Sequence, residues 1–138
     1  MFLYKNRKFR KGRLHGITST PRLGLLKTGT FGLKVMENGY LTADQLEAAR
    51  KAIKYSVNKF RFVDPIFIRV VPLLSRSKKK KGLRMGGAKG GFYRFVYRAR
   101  RGTILFEVKN VLRYQIFQKL RRVMVKFPVK LALVVLKR

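Results

Sequence analysis

The spacing of apolar residues along the chain changes period several times, and each change predicts an element. FGLKVMENGYL (31–41) reads as a strand, a turn at Asn38-Gly39 and a short extension. Thr42 stands three residues before Gln45, the spacing of a capping box, and predicts a helix start. Along that helix Leu46, Ala49, Ile53, Val57 and Phe60 recur at helical spacing, while Arg50, Lys51 and Lys54 lie off the stripe. Pro65 closes the junction, and IFIRVV (66–71) is a β-branched strand ended by Pro72. FYRFVYR (92–98) alternates: Tyr93, Phe95 and Tyr97 share one face, and Phe92, Arg94, Val96 and Arg98 share the other. The three aromatics could stack on unpaired bases, but a common strand face makes sheet core the better expectation. Arg101-Gly102 then turns the chain into TILFEV as a hairpin partner. A second helical stripe, Leu112, Ile116, Leu120, Val123 and Phe127, stops at Pro128, with Arg121, Arg122 and Lys126 opposite, and VKLALVVL is a final strand. This order predicts an α+β domain, a sheet with two helices packed on it. No internal repeat interrupts it.

Composition adds two constraints. With 138 residues, 46% of them hydrophobic, the chain suits one folded domain with a modest core. Against that core stand 35 Lys+Arg and only 5 Asp+Glu, a net charge of +30. Such like charge repels itself, and a polyanion would relieve the repulsion. RNA or DNA is the first candidate, an anionic membrane surface the second. The cations are segregated: Lys5, Arg7, Lys8, Arg10, Lys11 and Arg13 fall in an acid-free segment 1–16, others cluster without acids in 76–101 and 113–138, and four of the five acids lie between 37 and 64. A merely solvated surface mixes both signs. The division expected is a basic N-terminal extension, 1–16, and a domain over 17–138 with a basic glycine-rich loop at 75–91.

That loop contains KKKKGLRMGGAKGG (78–91). Glycine beside lysine can cradle a nucleotide's phosphates or lie along a long nucleic acid. A P-loop needs G-x-x-x-x-G-K-[ST], yet from Gly82 the sixth residue, Gly87, is followed by Ala88 and only then Lys89. From Gly86 the sixth residue is Gly91, followed by Phe92 and Tyr93. The spacing argues against a nucleotide pocket and for contact with a long nucleic acid. The absence of cysteine removes disulfides, thiolate metal sites and cysteine nucleophiles. His15, the sole histidine, sits in the basic opening, where a phosphate contact fits better than acid–base work. The carboxylates show no paired-acid or metal-ligand spacing, and Ser75 and Ser77 lack a base. The expectation is no enzyme, no cofactor, no metal and no small-molecule substrate. No run of 18 apolar residues could span a bilayer, and MFLYKNRKFRKGRLHG lacks the apolar stretch of a secretory signal.

Several motifs occur together in a familiar order: KNRKFRKGR (5–13), TGTFGLKV (28–35), GYLTADQLEAARKAI (39–53), IFIRVVP (66–72), LRMGGAKGG (83–91), GTILFEV (102–108) and KFPVK (126–130). The chain thereby resembles the ribosomal large-subunit protein sixteen family, the bacterial and organellar branch similar to the archaeal and eukaryotic protein ten-e. The resemblance covers most of the chain, and its helix motif and RMG loop are its more specific parts. It implies an α/β-hammerhead-type single domain with a mixed sheet, packed on large-subunit rRNA near the aminoacyl-tRNA site. Carried over by motif, Arg84, Met85, Gly86, Lys89 and Gly90 become the tRNA-proximal tip. Arg7, Lys8, Arg10, Lys11 and Arg13 become rRNA contacts. Lys5, Lys78, Lys79, Lys80, Lys81, Arg94, Arg98, Arg121 and Arg122 join them on charge and position. The implied partners are large-subunit rRNA, tRNA in the aminoacyl site and neighbouring ribosomal proteins, with no membrane.

The chain departs from the family pattern where bacterial members read R-M-G-K-G-K-G: Gly87 and Ala88 replace lysine and glycine. The loop before it lacks the family's usual prolines, and the second helix carries Phe117, Arg121, Arg122 and Met124 where alanine is usual. This drift, with enrichment in Phe, Tyr, Ile and Lys, fits a mitochondrial ribosome, with a bacterial or plastid ribosome as the alternative. The match begins so early that a removable transit peptide has no room, so the basic opening is expected to function in the protein. A DNA-compacting architectural protein is the rival reading.

Overall fold

The structure, a computed structural model, describes residues 24–58, 66–82, 84–86, 90–109 and 113–136. Seven strands and two helices follow in the order β1 (Phe31–Val35), β2 (Gly39–Thr42), α1 (Ala43–Asn58), β3 (Ile66–Ile68), β4 (Leu74–Lys78), β5 (Gly91–Ala99), β6 (Ile104–Val108), α2 (Arg113–Met124) and β7 (Leu131–Val135). The strands form two sheets, a four-stranded one ordered β3-β6-β1-β7 and a three-stranded one ordered β2-β5-β4. Every ladder among the described residues is antiparallel. The expected α+β single domain with two packed helices is present.

The capping box forms as its spacing predicts. The Thr42 amide donates to Gln45 Oε1 (2.9 Å), and the Gln45 amide donates to Thr42 Oγ1 (3.2 Å). Leu46, Ala49 and Ile53 face the core from α1, and Leu120 and Val123 meet it from α2. Helix α2 ends at Met124, before the proline: the Lys126 and Phe127 amides bond back to Val123 and Met124, and Phe127 remains buried in that turn. Val57, Phe60, Pro65, Leu112 and Ile116 lie outside the described side chains.

Three expectations from the sequence change. The strand expected over 66–71 pairs only through Ile68, with Arg69 adding one further bond to the Leu105 carbonyl. Residues 74–78, whose small and charged side chains gave no strand signal, form β4 at the edge of the second sheet. The strand before Arg101-Gly102 and the one after it are not a hairpin. β5 pairs with β2 and β4, whereas β6 pairs with β1 and β3, so the turn carries the chain from one sheet to the other.

The link from β1 to β2 makes the opposite crossing beside it, and the two crossings are bonded together. Val35 donates to the Thr103 carbonyl (2.9 Å) and accepts from Gly102 N–H (2.8 Å), while the Arg101 amide donates to Asn38 Oδ1 (2.7 Å). Gly102 has φ +89°, a left-handed conformation that glycine adopts without strain. The core lies where helices and sheets converge. β6 is buried along its whole length, and Leu33, Leu105 and Phe106 are fully enclosed.

Candidate nucleic-acid interface

The β4–β5 ribbon carries the lysine run. Lys78 closes β4 opposite Gly91, and Lys79, Lys80 and Lys81 continue beyond it, all exposed. Lys79 Nζ donates to the Gly86 carbonyl at 3.1 Å, folding the loop back on itself. Arg84, Met85 and Gly86 project into solvent, with Met85 at 102% relative exposure. Gly86 adopts φ +91°. Gly90 returns against the start of the loop, so closely that an added Cβ would collide with the backbone of Lys78 and Lys79. Its missing side chain lets the two ends of the loop meet. Lys89 lies outside the described residues, as do Lys5, Arg7, Lys8, Arg10, Lys11, Arg13 and His15.

A β-bulge shapes the root of this ribbon. Arg76 pairs with Arg94 and Ser77 with Phe92, which leaves Tyr93 as the extra residue. The alternation expected of 92–98 therefore breaks. Phe92 and Phe95 stand opposite Ser77 and Ser75 on one face, with ring centroids 4.9 Å apart. Tyr93 swings to the other face, where Arg94 Cζ lies 4.1 Å and Lys78 Nζ 5.0 Å from its ring centre. Arg94 also bonds the Tyr93 hydroxyl and lies 4.0 Å from Asp44 Oδ2. The shared core face expected for the aromatics is thus divided: Tyr97 packs on the core, Phe95 is half-buried, and Tyr93 is 45% exposed.

Arg94 is half-buried on β5 and meets Lys78 at the Tyr93 ring, whereas Arg98 is half-buried farther along the strand, opposite Tyr40 of β2. Arg121 and Arg122 are exposed in the last turn of α2, which packs against α1 and β7; the helix dipole favours cations there.

Sequence reasoning missed Glu107. It is fully buried in β6 and accepts from the Thr28 amide (2.8 Å), the Thr28 hydroxyl (2.8 Å), the Gly29 amide (2.9 Å) and the Lys27 amide (3.3 Å). Arg69 Nε lies 3.2 Å from its other oxygen. Burial pushes the Glu107 carboxyl up, but the hydrogen bonds from Thr28, Gly29 and Lys27 outweigh it and hold the group below its ordinary value. This carboxylate fastens residues 27–29 to β6. An acid inside the apolar run TILFEV was the signal available. At the surface, Glu37 and Lys130 pair at 2.9 Å, and the bond from Lys130 lowers the Glu37 pKa while raising its own.

Beside α1 a cleft of about 370 Å³ is lined by Leu46, Ile68, Val70, Pro72 and Phe95, with Asp44 and Glu47 at its rim. Glu47 is held by Arg50 at 2.7 Å. No group of three or more His, Cys, Asp or Glu side chains suited to a metal occurs among the described residues. No helix there is long and apolar enough to cross a membrane.

A buried core and an exposed basic ribbon whose own residues include no acid define a basic α+β domain. Its sequence relatives give the family. Residues 4–134 match the ribosomal protein L16p/L10e family, and the chain belongs to it. A large ribosomal subunit protein uL16 from Rhodopseudomonas palustris is 38% identical over 126 residues, covering 91% of this chain and 88% of the relative. The uL16 of Afipia carboxidovorans is 39% identical over the same coverage. That of Thermus thermophilus is 38% identical over 130 residues, covering 94% and 89%.

Proposed function

We propose that this member of the ribosomal protein L16p/L10e family is a structural constituent of the large ribosomal subunit that binds its rRNA and helps position tRNA in the aminoacyl site. The observation that carries the reading is the ribbon. From residue 65 to 106 there is no carboxylate, and within that stretch Lys78–Lys81 stand exposed around a loop whose glycines permit close backbone approach. Lysines neutralise phosphates and release counterions; about eight engaged phosphates correspond to a log-affinity slope of roughly −6 to −7 against log salt. Phosphate contacts fix position, and the folded shape of the RNA supplies selectivity. Arg121 and Arg122 on α2, with Lys5, Arg7, Lys8, Arg10, Lys11 and Arg13 of the opening, extend the rRNA contact, and Arg94 and Arg98 on β5 add to it. Arg84, Met85, Gly86, Lys89 and Gly90 form the tip offered to tRNA. Neighbouring large-subunit proteins are the remaining partners, and no step of the mechanism needs chemistry by a side chain.

The test is sedimentation of the tagged chain from a gentle lysate through a sucrose gradient. Co-migration with the large subunit, lost on RNase treatment and resistant to moderate salt, is expected. Migration with DNA or membranes would replace the reading with an architectural DNA-binding or membrane-surface role. Arg84→Ala is expected to slow tRNA accommodation while the protein stays on the subunit. The drift in composition supports a mitochondrial ribosome, whereas the relatives named above are bacterial and favour a bacterial one; fractionating the source cell and locating the ribosomes that carry the chain decides between them.

A further inference from the structure

The cleft beside α1 is built on other terms than the ribbon. Helix α1 packs against both β3 and β5, and the cleft lies along it. Its apolar lining comes from Leu46, Ile68, Val70, Pro72 and Phe95, around a volume of about 370 Å³. The same stretch of chain goes on to expose Val71, Leu73 and Leu74, at 43%, 61% and 43%. Along one wall α1 sets Asp44, Glu47 and Lys51, at a spacing that places them on one helix face. Two of the chain's five carboxylates thus stand at this cleft. Glu47 is already held by Arg50 at 2.7 Å. Asp44 is looser: its side chain is 84% exposed and meets Arg94 only at 4.0 Å. Lys51, two turns along the helix, is exposed.

We infer that this cleft docks an extended segment of a partner protein in which one apolar side chain stands between a cation and a carboxylate. The apolar side chain enters among Ile68, Val70 and Pro72, the cation meets Asp44, and the carboxylate meets Lys51. The inference goes beyond the RNA-binding reading and makes no use of the ribbon. RNA is a poor occupant here, since it brings phosphates to two carboxylates and no apolar side chain to the lining. A wholly apolar segment would leave Asp44 and Lys51 unanswered. The spacing suits an extended chain. From Asp44 to Lys51 the helix rises about 10 Å. The first and last side chains of a five-residue strand share a face and stand about 13 Å apart, a difference that flexible Lys and Glu side chains absorb. Burial of the central side chain supplies affinity, and the two charges supply the choice of partner.

The test uses the full chain and the peptide acetyl-Lys-Thr-Trp-Thr-Glu-amide at physiological ionic strength. The chain has no tryptophan, so indole emission reports the peptide alone. Binding should shift that emission to the blue. Ile68→Asn, at a position 41% exposed, should weaken binding about tenfold. Asp44→Asn should weaken it about threefold. A second peptide, acetyl-Lys-Thr-Trp-Thr-Lys-amide, should bind the unsubstituted chain more weakly than the first. Lys51→Glu should reverse that order, whereas Lys126→Glu, exposed beyond α2, should leave it as it was. The reversal is a gain of binding, which a misfolded variant does not give. No blue shift, equal binding to Ile68→Asn, or the same order of peptides in Lys51→Glu and Lys126→Glu overturns the inference. Where the peptide is indifferent to Ile68→Asn, loss of an RNA hairpin gives the cleft to RNA and loss of a dimer gives it to a second copy. Both outcomes overturn the inference as well.

Discussion

β5 and β6 are consecutive strands, yet they belong to parts of the molecule built on opposite terms. β6 runs between β3 and β1 with every residue buried, and the single carboxylate it carries, Glu107, is surrounded by amides, a hydroxyl and a guanidinium. The outer half of β5, with β4 beside it, leaves Phe92 and Tyr93 in solvent among Lys78, Arg76 and Arg94, and the ribbon contains no acid. In the body, a charge is tolerated because its partners were folded in around it, since an uncompensated buried charge costs several kcal/mol. In the ribbon, Asp44 near Arg94 is the one carboxylate paired with it among the described residues, and Lys78–Lys81 stand exposed. The contrast separates the residues that hold the fold from those available to a partner.

The sharpest way to break that contrast is Glu107→Gln. It removes the charge beside Arg69 and places a donor where the amides of residues 27–29 already donate, and is expected to destabilise the free chain by about 3 kcal/mol in urea unfolding. A change well below 1 kcal/mol would mean that the body does not depend on this carboxylate. Acid should reproduce the effect. Because the folded-state pKa of Glu107 is lowered, its contribution is present above the ordinary carboxylate range and is lost as pH falls through the lowered value. The stability gap between the unsubstituted chain and Glu107→Gln should therefore close in acid, which parallel urea titrations would show.

Gly90→Ala acts on the other region. Its Cβ meets the Lys78 backbone, so the ribbon must open, at a cost of about 1–3 kcal/mol. Hydrogen exchange should quicken at the paired amides of β4 and outer β5 and stay slow in β6; equal acceleration in both would show that ribbon and body unfold as one unit. Thr42→Ala removes half of the capping box and should cost about 1 kcal/mol, read by thermal unfolding. The smallest stability effect is expected from replacing Lys78, Lys79, Lys80 and Lys81 together by Gln, within roughly 0.5 kcal/mol in urea. The same variant should lower the salt slope of RNA binding by about 3. A large loss of stability there would mean that the lysines hold the fold after all.

Periodicity and capping made much of this protein legible in its sequence. The α1 stripe, its start at Thr42, the two helices on an α+β framework and the basic loop follow from local chemistry, which a chain displays without reference to its distant parts. Three features depended on tertiary structure, each for its own reason. Which strands pair is a long-range matter, so Arg101-Gly102 read as a hairpin turn although the chain crosses there between sheets and is bonded to Asn38 and Val35. A bulge reverses the faces of residues beyond it, so strict alternation misassigned Tyr93 and could not bring Phe92 to Phe95. Glu107 reads as one acid in an apolar strand, and only packing supplies its partners from residues 27–29 and Arg69, far away along the chain. Sequence by itself determined what most segments would form and where the charge would lie; the tertiary structure decided which segments meet, and with that made a strand of 74–78, because pairing and burial are properties of two places at once.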